Sequence, residues 1–461
     1  NVGSGRFEDV TARSGIHACG LGMGAFWADL DGDGRLDLYL TNVGKNAVWW
    51  NRGDGTFEEG KDTGLEDPLF SVGAAFLDYD GDGRLDVVVA NYLDSTPEWE
   101  AAQTQFELRV PEDYVGQPSH LYRNEGGRRF RDVTQEAGLA MDPRETKTLG
   151  VAVLDYDGDG LPDLFFVNDR VSNRLFHNRG GRFEETTAEA GAGVLGGRAR
   201  AGMGIAVGDP FGTGRPSVFV TNFGGEPNSL YRNVEGQLFE DAGAAAGAAD
   251  AGFPFVRWGT HMADFDNDGW PDLYAVGGHL APRIVRMLGH YRSGNAAYVE
   301  AGEPAFAQPV ALLHNEAGRF TPWTDSGDLA RVRMVGRGSA VADVDGDGGL
   351  DLFVVDLDGP SRLFLNRIGS RKNWIDVEPV PRADGRTVLG TVVRVTAGGR
   401  TQTQWYQVSS SYASGSLVPL HFGLGEAGRA ERVEITWPGG EKQEMRDVEA
   451  RRVYRIRRGD R

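Results

Sequence analysis

The first 370 residues alternate between short apolar runs and glycine- and aspartate-rich turns, with a period of two rather than 3.6. One block recurs six times. A small-residue run such as Val72-Gly73-Ala74-Ala75-Phe76-Leu77 leads into an acidic loop. An apolar run such as Val87-Val88-Val89-Ala90 follows, and then an alternating run that ends in Asn, as in Leu121-Tyr122-Arg123-Asn124. A second alternating stretch, Phe130-Arg131-Asp132-Val133-Thr134, completes the block, and versions of it return at Phe183 and Phe239. The pattern predicts four short antiparallel strands per unit of about 50 residues, the signature of a propeller blade.

The acidic loops begin at Asp29, Asp78, Asp155, Asp209, Asp264 and Asp343. Six blades follow by count, and a seventh too degenerate to recognise is left open. Two intervals are longer by roughly 25 residues and place insertions at 94–118 and 280–309, between strands two and three of the second and fifth units. The sixth unit lacks its last strand, while Phe7-Glu8-Asp9-Val10-Thr11 stands at the start of the chain. We therefore expect a blade shared by both ends, closing the ring. Residues 369–461 carry further strand patterns, including Trp374–Glu378, Val392–Val395 and Val433–Trp437, and predict a separate β-sandwich-like domain. The fold class is all-β: a propeller over 1–368, then a small β-domain over 369–461.

Composition sharpens this picture. Among 461 residues are 67 glycines, which demands many tight turns and rules out an all-helical chain. The net charge of −19 argues against a nucleic-acid backbone as main partner. No apolar run approaches the ~18 residues of a spanning helix. The single Cys19 excludes an intrachain disulfide and a cysteine-built metal cage. The chain starts at Asn1 without Met, which fits a mature or trimmed form.

Five of the six loops read Asp-x-Asp-x-Asp-Gly-x-x-Asp. They are Asp29/Asp31/Asp33/Asp37, Asp78/Asp80/Asp82/Asp86, Asp155/Asp157/Asp159/Asp163, Asp264/Asp266/Asp268/Asp272 and Asp343/Asp345/Asp347/Asp351. Carboxylates at positions one, three, five and nine, with glycine at six for the sharp turn, wrap oxygen ligands around one hard cation; structural Ca²⁺ at about five sites is the expectation. Each loop runs into a strand pattern, so these are not EF-hands. The fourth loop has lost three acids and is expected to be metal-free, with Arg215 standing in for the ion's charge.

These loops and their flanking strands resemble the FG-GAP, or VCBS-type, repeats of integrin-like propellers. Gly390–Val395, Ser411-Tyr412-Ala413-Ser414, His421-Phe422-Gly423-Leu424-Gly425 and Ile435–Gly440 resemble an ASPIC/UnbV domain. In this order, the two are similar to bacterial relatives of cartilage acidic protein. The resemblance implies calcium binding and export, and little about activity.

Loops joining strands two and three should lie on the face opposite the acidic loops, where long insertions concentrate function. That face is expected to carry Asn42, Asn91, Asn168, Asp169, Arg170, Asn222, His279 and Asp356 at strand ends. The starts of the innermost strands add Lys147, Arg257, Trp258, His261 and Arg337. The first insertion (Glu98, Trp99, Glu100, Phe106, Glu107, Glu112, Asp113, Tyr114) reads as an acidic lid, the second (Arg283, Arg286, His290, Tyr291, Arg292) as a short basic amphipathic helix. Arg52-Gly53-Asp54 sits in a predicted hairpin, where its match to a recognition tripeptide is coincidental. The leading expectation is an exported calcium-dependent module that binds a glycan, peptide or partner protein on this face. The alternative is an enzyme (a cyclase, lyase or hydrolase) using His261, His279 and Arg257 at the channel mouth.

Overall fold

The computed structural model describes residues 1–17, 20–95, 111–249, 255–280, 307–381 and 385–459. Six antiparallel sheets follow one another along the chain, and their innermost strands touch in sequence around a central channel. In blade two the strands are Ser71–Leu77, Asp86–Asn91, His120–Gly126 and Arg129–Asp132, paired in that order. Blades one, three, four and five repeat this arrangement, with innermost strands Leu21–Ala28, Thr148–Leu154, Gly202–Gly208 and Arg257–Ala263. Both long insertions fall between strands two and three, as expected. Glu98, Trp99, Glu100, Phe106 and Glu107, the five basic-helix residues of the second insertion, and Cys19 lie outside the described residues.

Three repeated contacts explain why this sequence forms a ring rather than a string of hairpins. In blades two to six the Asn at the end of the third strand reaches the acidic loop of the preceding blade, whereas Asn51 of blade one donates to Leu36 in its own loop. The side-chain amides of Asn124, Asn178, Asn233, Asn315 and Asn366 donate to the carbonyls of Leu30, Tyr79, Tyr156, Pro210 and Phe265, at 2.7 to 3.0 Å. At the outer edge, the backbone N–H groups of Phe130, Phe183 and Phe239 each donate at 2.7 Å to the preceding blade, to Thr63, Ala137 and Ala190. The third contact needs glycine: Gly64 and Gly138 have φ of +91° and +77°, and an added Cβ would stand 2.0 and 2.5 Å from the carbonyl oxygens of Phe130 and Phe183.

The predicted shared blade does not form as a strand ladder. Blade six has three paired strands, Gly336–Ala342, Asp351–Asp356 and Arg362–Phe364, among the described residues. Phe7 is 60% exposed and residues 7–10 pair with no strand. The N-terminal segment still bridges the two blades: Asn1 donates to the Val344 carbonyl at 2.6 Å, and Gly15 sits against Phe57 of blade one. The third strand of blade six is three residues long before the chain turns at Gly369–Arg371, so it offers little edge to pair with.

From Asn373 onward two sheets pack together. Asn373–Val380 lies between Leu420–Gly425 and Arg452–Arg457, and Thr391–Ala397, Arg400–Tyr406, Arg429–Thr436 and Lys442–Glu449 form the other. Their core is continuous with that of blades one and two, joining Phe26, Leu30, Tyr39 and Phe76 to Ile375, Val393, Phe422 and Trp437. One hairpin leaves this domain. Its strands, Ser409–Ser410 and Ser414–Ser416, enter the propeller, where Ala25 and Phe26 of blade one pair in parallel with Ser414 and Gly415. Ser414–Ser416 also touches the inner strands of blades two and six, and Ser409–Ser410 those of blades three and four. The hairpin therefore fills the channel, entering from the acidic-loop face because its second strand runs parallel to Leu21–Ala28.

Candidate functional site

The acidic loops share one internal framework. The ninth-position acids Asp37, Asp86, Asp163, Asp272 and Asp351 are buried. Each accepts from the backbone N–H of the loop's second residue with one oxygen and from that of the third-strand Asn with the other; for Asp86 these donors are Tyr79 and Asn124, at 3.1 and 2.8 Å. The first-position acids Asp29, Asp78, Asp155, Asp264 and Asp343 accept from the glycine N–H at position six, curling the loop inward.

The electrostatics fit a bound cation. Burial, reinforced by neighbouring carboxylates, pushes Asp37 up to about 7, Asp86 and Asp163 up to about 8, and Asp264 up to about 7, against the backbone hydrogen bonds that pull them down. Asp31 Oδ1, Asp78 Oδ1 and Asp345 Oδ1 are buried without a hydrogen-bond partner. Cationic side chains approach from outside: Arg128 holds the other oxygen of Asp31, Arg367 that of Asp345, and Arg123 bonds Asp80, each at 2.8 Å. Each Arg thus leaves an inward-facing oxygen of its loop unsatisfied, a donor set suited to a hard ion. Several of these acidic clusters could hold metal ions, among them Asp78 with Asp80 and Asp86.

Two of the predicted ligands, Asp82 and Asp347, are also hydrogen-bonded to their own turns and to arginine. Asp82 Oδ1 accepts from the Arg84 backbone N–H at 2.9 Å, while its Oδ2 pairs with the Arg84 guanidinium and stands 3.4 Å from that of Arg123. Asp347 Oδ1 accepts from the Gly349 N–H at 2.9 Å, and its Oδ2 pairs with Arg367. Asp33 of the first loop is held the same way by the Arg35 N–H and guanidinium, so this bonding recurs at the fifth position and does not set Asp82 and Asp347 apart from the expected ligands.

The fourth loop keeps its shape through Asp209, which accepts from Thr213 and Gly214. Arg215 extends to Gly236 and Gly158, beside the third loop. Two loops gain a donor that the motif does not contain. His177 and His314, each preceding a third-strand Asn, stand beside the third and fifth loops. The equivalent position in every repeat was visible in the sequence, and comparing its occupants would have found them.

The C-terminal domain docks on this face. His421 lies between Asp376 (2.7 Å) and Asn267 Oδ1 (2.6 Å), Lys372 bonds Asp266 at 3.0 Å, and the Arg400 guanidinium stands 4.2 Å from the Trp270 ring centre. A cavity of about 180 Å³ remains between the domain and blades four and five, and His261 lines it.

At the opposite mouth, the Asn side chains are committed to the hairpins that follow them. Asn42, Asn91, Asn168 and Asn222 donate to the carbonyls of Lys45, Pro118, Ser172 and Pro227. They staple connections and do not line the opening, because a buried strand end needs its turn carbonyls satisfied. Asp356 likewise accepts from the Val335 N–H.

Nor do His261, His279 and Arg257 converge. His261 lies near the acidic-loop end of its strand and meets Ser339 Oγ at 3.0 Å, and burial lowers it to about 4, so its imidazole is neutral. His279 Nδ1 accepts from the Leu280 N–H, while Arg257 donates to the Pro309 carbonyl. Trp258 donates to Gly278, and Arg337 donates to Gly336 and His279 while lying 4.3 Å over the Trp258 ring.

What the mouth does gather is Asp169, bonded to the Tyr92 hydroxyl at 2.5 Å, and Arg170, which pairs with Glu112 and Glu226. Lys147 donates to the Pro111 carbonyl. Half-buried Phe70, Tyr92 and Phe223 pack in the same cluster as Tyr412, the hairpin tip, which closes the channel beneath them. Nothing in the repeat pattern signals this plug; the Ser411–Ser414 motif marks it only in hindsight.

Comparison with known proteins agrees with this architecture. Residues 29–89 and 155–220 match the FG-GAP-like repeat, and residues 382–461 match the ASPIC and UnbV family. Cartilage acidic protein 1 from Mus musculus and from Homo sapiens are each 28% identical over 322 residues, covering 68% of this chain. The match covers 44% and 43% of those relatives, so the chain spans less than half their length. An Agrocybe aegerita lectin that recognises non-reducing terminal N-acetylglucosamine superposes with a TM-score of 0.41 at 16% identity, over 75% of this chain and 82% of the lectin. No helix among the described residues is long and apolar enough to cross a membrane. The chain thus carries FG-GAP-like repeats followed by a C-terminal ASPIC and UnbV domain, and is homologous to cartilage acidic protein 1.

Proposed function

We propose that this protein is an exported, calcium-stabilised binding module whose ligand, a glycan or a peptide, sits on the mouth opposite the acidic loops. One observation carries this reading: the C-terminal hairpin plugs the channel, so that Tyr412 underlies a rim of aromatic rings and paired charges. Phe70, Tyr92 and Phe223 supply apolar faces, and Asp169 with Arg170 supplies polar contacts, a combination suited to sugars and short peptides. The histidines that an enzyme would need are held by backbone groups or by a serine in the wall. Calcium acts as scaffold here, neutralising each acidic loop and stiffening the blade behind the mouth.

The test is binding of the full chain to glycan and peptide arrays in calcium and in EGTA, alongside Tyr92→Ala and Arg170→Ala. Selective binding that both variants weaken at least tenfold supports the proposal. Binding untouched by either variant removes this mouth as the site.

A further inference from the structure

The third acidic loop differs from those of blades one, two and six in the residue that precedes the third-strand Asn. That position holds Trp50, Arg123 and Leu365 in those blades, but His177 in blade three. His177 is 1% exposed, and its Nδ1 has no hydrogen-bond partner. This nitrogen lies 3.1 Å from Asp163 Oδ1 and 3.5 Å from Asp157 Oδ2. One donor atom from each of the three residues fits within a group less than 4.8 Å across. Donors that share a small ion with bonds near 2.0–2.1 Å stand ~3.0–3.4 Å apart. Calcium prefers oxygen at longer distance, whereas imidazole beside carboxylate suits first-row transition ions.

The geometry points to a divalent transition-metal ion of the zinc class in the third loop, held by His177 Nδ1, Asp157 and Asp163, beside all-oxygen calcium-type loops elsewhere. This inference rests on the proposed reading of the acidic loops as cation sites. It does not extend to loop five, where His314 is a third exposed and Lys372 already holds Asp266.

The experiment strips the full chain with chelator, saturates it with calcium, and titrates zinc by calorimetry for the wild type and His177→Gln. The expected result is one zinc equivalent bound in the presence of calcium, at least tenfold weaker in the variant. Zinc binding that is absent or indifferent to His177 overturns the inference. Should the variant fail to fold, the wild type loaded with Mn²⁺ is read by pulsed electron paramagnetic resonance. Coupling to one histidine nitrogen supports the site, and its absence overturns it. The calcium titration separates the two readings: a chain that takes no calcium loses the proposed scaffold role, whereas one that takes calcium without a His177-dependent zinc site loses only this inference.

Discussion

Tyr412 of the C-terminal hairpin meets Trp258 of the fifth blade's inner strand edge to face, with ring centres 4.7 Å apart. The pair lies at the far end of the channel from the domain that supplies Tyr412. Around it, Ser411 Oγ accepts from the Thr260 N–H at 3.0 Å and Ser414 donates to the Ser339 carbonyl at 3.0 Å. A single short excursion, residues 409–416, thus links a separate domain to the inner walls of the ring, as an axle links a hub.

Tyr412→Ala should therefore loosen both parts. Loss of a large buried aromatic costs about 3–5 kcal/mol where the site cannot collapse, and a channel walled by six sheets collapses poorly. Urea unfolding should show the lower midpoint, and limited proteolysis should newly cut the 409–416 hairpin. Unchanged protease resistance would count against the plug as a coupling element.

Chelation should destabilise the protein strongly. Each ion bound at 100 times its dissociation constant contributes about 2.7 kcal/mol, and five loops carry the full acid motif. Thermal unfolding in calcium against EGTA reads the sum, and Asp86→Asn should lower the melting temperature in both conditions because Asp86 also anchors Tyr79 and Asn124.

A pH dependence should arise between blades one and two. His120 Nδ1 lies 2.7 Å from Asp67, which also accepts from Tyr122 and Asn91. Burial alone would lower His120 and raise Asp67, but their contact reverses both, so His120 sits above its ordinary value and Asp67 below. The raised His contributes stability below about 6.5 that disappears as pH rises through its folded value. The lowered Asp contributes above about 3.9, and its share disappears as pH falls through its folded value. The stability difference between wild type and His120→Gln should accordingly be widest near pH 5 and narrow toward pH 8, as measured by urea midpoints across that range.

Gly138→Ala should separate blades two and three. Its φ of +77° and the 2.5 Å approach to the Phe183 carbonyl leave no room for a methyl group, and overpacking of this kind costs about 1–3 kcal/mol in addition to the backbone strain. The same substitution at Gly127, where an added Cβ meets nothing within 4 Å, is expected to cost less. Equal losses at the two positions would reduce the effect to backbone strain alone.

His421→Ala should weaken docking of the C-terminal domain. Both imidazole nitrogens face oxygen acceptors, on Asp376 and Asn267, and Asn267 also ties Gly348 to Gly369. Leaving two buried acceptors unmatched costs about 2–3 kcal/mol. Hydrogen exchange should show the loosening first at the fifth acidic loop; protection unchanged there would assign His421 to its own domain only.

The sequence by itself determined the repeat and the acidic loops, because each rests on local chemistry: alternation sets strands, glycine sets turns, and five registered acid sets are a statement about charge. That the ring has six blades and no seventh among the described residues is read from the sheets. The sequence also determined the Asn at the end of each third strand, though not its role, since in blades two to six the partner carbonyl belongs to a loop 77 to 105 residues away. Only the tertiary structure decided the rest. Asp82 and Asp347 match the motif as well as any other acid, and only the fold shows that Arg123, 41 residues on, and Arg367, 20 residues on, pair with them. The N-terminal segment has strand-like composition but meets a third strand of three residues, and pairing is a property of both edges. The polar residues assigned to the channel mouth looked convergent on paper, yet burial obliges Asn42, Asn91, Asn168 and Asn222 to satisfy their own turns. Placement of Tyr412 beneath that mouth depends on packing between elements remote in the chain, which no local pattern encodes.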